Sequence, residues 1–70
     1  MTVYSVLVIH KEWGIIKDDT CTFSTLAKAR EYFKEYIEHC LGGYVTEEGL
    51  RIGNFSSDYT NVVILATDVE

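Results

Sequence analysis

One stretch of helical periodicity, bracketed by strand-like sequence, sets the limits on what this chain can fold into. Ser24 to Gly43, STLAKAREYFKEYIEHCLGG, places Leu26, Ala29, Phe33, Ile37, Cys40 and Leu41 three or four residues apart, with Tyr36 beside them. At roughly 100° per residue this set spans about 140° of arc, one face of a helix of about five turns. Lys28, Glu31, Glu35 and Glu38 fall on the opposite face. Ser24 or Thr25 can cap the start, because a short hydroxyl side chain accepts a hydrogen bond from a free N–H of the first turn. Gly42-Gly43 stops it, since glycine takes the left-handed conformation after a last turn without steric cost.

The flanks read as strands. Thr2 to His10 is rich in β-branched residues, with Tyr4, Val6, Val8 and His10 on one face and Val3, Ser5, Leu7 and Ile9 on the other. Lys11 to Gly14 turns the chain, and Ile15 to Phe23 is expected to hairpin back as a second strand with Cys21 and Phe23 inward. Asp18 and Asp19 mark a bulge or break in it. After the helix, Glu47-Glu48-Gly49 reads as a polar loop and Leu50 to Phe55 as a third strand, weakened by Gly53 and Asn54. Ser56 to Asp58 is a turn by composition. Asn61 to Val69 is a strong strand, with Val62, Ile64 and Ala66 facing one way and Val63, Leu65 and Val69 the other.

The expected fold is therefore one α+β domain over residues 1–70, in ββαββ order. A mostly antiparallel four-stranded sheet carries one helix on one face, with strands 2–10 and 61–69 as central neighbours. A single helix covers one face of such a sheet, yet both central strands are apolar on both faces. The second face is then a contact surface, since contiguous apolar patches of that kind mark interaction sites. A two-fold homodimer packed sheet to sheet, a larger protein partner, or cover by the loop around Trp13 to Ile16 would each satisfy it.

Composition narrows the function classes. Seventy residues with five Tyr, three Phe and one Trp can build a core, although so short a chain buries only about 60% of its unfolded surface. Eleven acids against six bases give a net charge of −5, with no basic stripe for direct nucleic-acid binding. No apolar run approaches the ~20 residues that cross a bilayer, and Met1 to Tyr4 lacks a basic region of a signal peptide. A cytoplasmic location with reduced cysteines is expected.

Catalytic and metal signatures are weak. Neither Cys-x-x-Cys nor His-x-x-x-His is present, and His39 and Cys40 diverge by about 100° on the helix. Cys40, on the apolar arc, is expected to act as a small core hydrophobe. Cys21 precedes the helix while Cys40 lies about 21 Å along it, beyond the ~7 Å Cα separation a disulfide allows. His10 at a strand end has nothing to position a third group, so no enzyme and no cofactor are expected.

The candidate partner-binding residues are Trp13, Asp18, Asp19, Arg30, Tyr32, His39, Glu47 and Glu48. Trp13 at a turn either folds over the sheet end or stands out as an interface anchor. Arg30, at the edge of the apolar arc, either snorkels or aims its charge at a ligand. Tyr32 and His39 share the other flank of the helix.

Phe23-Ser24-Thr25, followed by Lys28-Ala29 and Tyr32-Phe33, resembles a loose group of small bacterial and phage proteins. In these a β-hairpin leads into a helix that opens "FST" and continues "KA…YF". The resemblance covers Val3 to about Ile37 and concerns the cap, the helix start and core positions. It implies this fold and, by analogy, an accessory product of phages or mobile elements. Some small acidic phage proteins inhibit host defence enzymes, including CRISPR systems. The function expected is a non-catalytic protein-interaction module that modulates a host protein. The alternative is a small-molecule or nucleotide-binding module with its pocket at a homodimer seam.

Overall fold

Two long strands form the centre of the sheet. β1 (Thr2–His10) and β5 (Thr60–Asp68) run antiparallel over their whole length, from Thr2 opposite Asp68 to His10 opposite Thr60. The computed structural model of the protein describes residues 1–69, apart from the side chain of Asp18. β2 (Gly14–Ile15) and β3 (Cys21–Phe23) both line the free edge of β1, and β4 (Asn54–Ser56) lines that of β5. All pairings are antiparallel. The fold is α+β, and the two apolar strands are central neighbours, as their sequences imply.

Among the described residues the sheet has five strands rather than the four expected, because the second strand is interrupted. A 3₁₀ turn at Lys17–Asp19 separates β2 from β3, where two acids of low strand propensity stand together. Thr20 fills the resulting gap in the ladder. Its hydroxyl donates to the Ile16 carbonyl (2.9 Å) and accepts from the Val8 N–H (3.2 Å), so β1 keeps a partner where no strand faces it.

Helix α1 (Leu26–Glu35) starts at Thr25, whose hydroxyl accepts from the Lys28 N–H. Its last turn departs from the expected regular helix. Tyr36–Cys40 is a π-helical turn, closed by Leu41 N–H donating to the Tyr36 carbonyl, five residues back. Gly42 follows with φ of 66° and ends the element. The wider turn holds one extra residue, so each later side chain arrives late around the axis. Leu41 therefore packs against the core, while Cys40 is exposed. This corrects the expectation that Cys40 is a core hydrophobe.

The largest correction lies between residues 47 and 55. Glu47–Ile52 forms a second helix, α2, in place of a polar loop running into a strand. Thr46 caps it by accepting from the Gly49 N–H at 3.0 Å, and Glu47 and Glu48 place negative charge in the first turn, where the helix dipole favours it. Gly53, at φ 74°, ends it. Only Asn54–Ser56 remains as strand.

The core lies between the helices and one face of the sheet. Val6, Val8 and Val62 from the sheet meet Ala29, Phe33 and Ile37 from the helical layer, with Val45 closing one end. Tyr4, Phe23, Phe55 and Ile64 pack around this cluster. The β1 and β5 residues in this set are even-numbered, as the period of two requires.

Candidate interaction surface

The odd-numbered positions of β1 and β5 make the other face. No residue on it is fully buried, and none belongs to the core cluster. Leu7 faces Val63 at its centre. Ile9 pairs with Ile15, which is 55% exposed, and Leu65, opposite Ser5, is 49% exposed. Val3 extends the band toward the chain ends. Around it lie Ser5, Thr22, Asn54, Ser56, Asn61 and Thr67, paired in register with the apolar set or with one another. No charged side chain stands on this face within the strands, although about a quarter of the chain is charged. Neither helix nor the Trp13 turn covers it: Trp13 is 78% exposed and its ring stacks on His10, with centroids 4.2 Å apart.

The candidate residues fall in three places. Trp13 sits at the β1–β2 turn, held by His10, whose Nδ1 accepts from the Glu12 N–H at 3.1 Å and the Trp13 N–H at 3.4 Å. Arg30, Glu47 and Glu48 gather at α2. The Arg30 Nη2 donates to the Arg51 carbonyl (3.3 Å), placing a cation on the last turn of that helix. Arg51 makes a long, exposed contact with Glu48 at 3.7 Å. The partly buried Arg30 thus ties α2 to α1, and sequence reading missed Arg51 because α2 itself was not foreseen.

The third place is a groove beside the 3₁₀ turn. Asp19, Tyr32, Glu35, Tyr36, His39 and Cys40 line a cavity of about 310 Å³. Tyr32 donates its hydroxyl to the Asp19 carbonyl, and Tyr36 donates to the Asp19 Oδ2 at 2.9 Å. The two rings lie 6.0 Å apart and 25° from parallel, and Phe23 leans on Tyr32 at 5.5 Å. Burial raises the Tyr32 phenol well above its ordinary value, with the Cys21 thiol and the Asp19 charge adding to it. Burial also pushes the Tyr36 phenol up to about 12, helped by its bond to the Asp19 carboxylate. Both phenols therefore keep their protons at neutral pH. The candidate Asp18 is outside the described side chains. Tyr36 and Glu35 complete the groove, and the i,i+4 spacing of the two tyrosines was the signal that could have found them.

Among the described residues no three metal-ligating side chains converge. Both cysteines are free thiols. Among the described residues no helix is long and apolar enough to cross a membrane. Compared with known protein families, curated proteins and solved structures, the chain matches none of them.

Proposed function

We propose that the protein is a non-catalytic interaction module that associates through the odd-numbered sheet face, first with a second copy of itself. One observation carries the reading: the face is apolar at its centre, uncharged throughout its strands, and uncovered by the chain's own helices. Two copies of a chain with charge −5 repel, so self-association favours a face that contributes no charge. The two long extents of the molecule, 36 and 27 Å, leave room for the ~800 Å² per partner that a standard interface buries. A two-fold axis through the face would set Leu7 and Val63 of each copy against the other.

The likeness to phage and mobile-element accessory proteins adds a host protein as a further partner, met by the surfaces a dimer leaves outward. The non-catalytic part of the reading draws on the placement of His10 and Cys21. His10 is engaged by its turn, and Cys21 faces Val6, four residues or ~13 Å back along β1.

Light scattering over a dilution series tests the proposal. A mass near twice 8.0 kDa that falls on dilution is the expected result. A mass of 8.0 kDa at every concentration overturns self-association.

A further inference from the structure

We propose that the Tyr32–Tyr36 groove seats one arginine side chain of a protein partner. The groove belongs to the helical layer and lies away from the odd-numbered sheet face. It stays open in a sheet-to-sheet pair, and a monomeric mass would leave this inference standing.

The walls state what fits. Tyr32 on α1 and Tyr36 at the start of the π-helical turn line the cavity from successive turns, and their hydroxyls are already donated to Asp19. Each ring is therefore tethered at its hydroxyl end, and what the pair offers a ligand is aromatic carbon rather than a free O–H donor. Aromatic faces attract cations through the ring quadrupole. Glu35, exposed at the rim, and Asp19, within the wall, add two carboxylates, while no lysine or arginine lines the cavity among the described residues. Among the described lining residues His39 supplies the one titratable nitrogen. The site thus selects a cation by charge and a planar one by shape. A guanidinium stacks flat on an aromatic ring and presents a fork to a carboxylate, whereas an ammonium is a point charge held more strongly by water. At about 310 Å³ the cavity stands at the lower limit of small-molecule pockets, which suits one side chain rather than a cofactor. The same carboxylates oppose a phosphate, so the partner is a basic protein surface and not a nucleic acid.

The test is an amide-shift titration of the isotopically labelled protein with N-acetyl-arginine amide. The expected result is saturable shifts at Tyr32, Glu35 and Tyr36, with a dissociation constant in the millimolar range, roughly 1–10 mM for one exposed cation–π and ion-pair contact. The citrulline analogue keeps the shape and loses the charge, and should bind at least about tenfold more weakly. Glu35→Gln removes an exposed carboxylate without touching the core, and should weaken binding about threefold. Tyr36→Leu keeps apolar bulk and should abolish saturation. Absent shifts overturn the proposal. Equal binding of citrulline overturns the charge argument, and equal binding of N-acetyl-lysine amide overturns the assignment to arginine.

Discussion

Leu65→Lys is the sharpest probe of the sheet face. Leu65 is 49% exposed, so about half of its side chain remains to be buried by a partner. Full burial of a leucine is worth ~1.5–3 kcal/mol, so the exposed half contributes about 1 kcal/mol per copy. In a two-fold dimer the substitution counts twice, for about 2 kcal/mol, and that corresponds to a roughly 30-fold rise in the dissociation constant. The two introduced charges add to this figure rather than offset it, because the facing surface has no carboxylate to pair with them. Folding of the single chain should change by less than ~1 kcal/mol, since an exposed position on a strand tolerates lysine. Sedimentation equilibrium on Leu65→Lys reads the association constant, and urea unfolding reads the chain stability. Ala27→Lys, on the outer side of α1, changes net charge by the same amount at an exposed site off the face. A change from −5 to −4 lowers the repulsion between copies, so Ala27→Lys should leave association unchanged or slightly tighter, and equal weakening by both variants would show that the face is not responsible. If Leu65→Lys associates as the unaltered chain does, the reasoning fails.

Three further outcomes follow from the backbone and from the thiol and phenol environments. Gly53→Ala should cost about 2–3 kcal/mol by urea unfolding: φ is 74°, and a Cβ there would stand 2.9 Å from the Ile64 Cβ. A loss under ~0.5 kcal/mol would show that α2 can end differently. In native buffer a thiol reagent should label Cys40 quickly and the half-buried Cys21 slowly, and Cys40→Ser should change stability by less than ~0.5 kcal/mol. A loss of ~2 kcal/mol would return Cys40 to the core. The Tyr36 phenol is raised in the folded state, so its neutral form is the one that folding favours. That stability is complete below the ordinary phenol value of 10.0 and is lost as pH rises through about 12. Tyr36→Phe should flatten this alkaline fall in denaturant midpoint, and an unchanged slope would refute the assignment.

The long strands were legible because period two and β-branching act over nine residues at once, enough to name their neighbours and their faces. The same alternation shows that the sheet has a second apolar face. α2 escaped because six residues carry too little periodicity, and Leu50 and Ile52 alternate around Arg51 as a strand would. Its punctuation was present all the same: a threonine, two acids, and a glycine seven positions after the threonine. Cys40 was misplaced because extrapolating 100° per residue assumes an unbroken α-helix, and one wide turn rotates everything beyond it. The Tyr32–Tyr36 groove needed Asp19, which a 3₁₀ turn brings to the helix from more than a dozen residues away. No local pattern encodes that meeting.

β5 joins β1 to β4, and among the described residues it follows every other element in sequence. Its pairing with β1 reaches across nearly the whole sequence, as the Thr2 hydroxyl on Asp68 shows at a separation of 66 residues. Contacts this remote form slowly, because a long loop must close before they stabilise anything. During that delay β1 presents an unpaired edge of Val, Leu and Ile, without charge or proline to deter a neighbouring chain. Residues 60–68 therefore act as the molecule's own guard against aggregation. A chain shortened before residue 60 would leave that edge of β1 open to pairing with other chains.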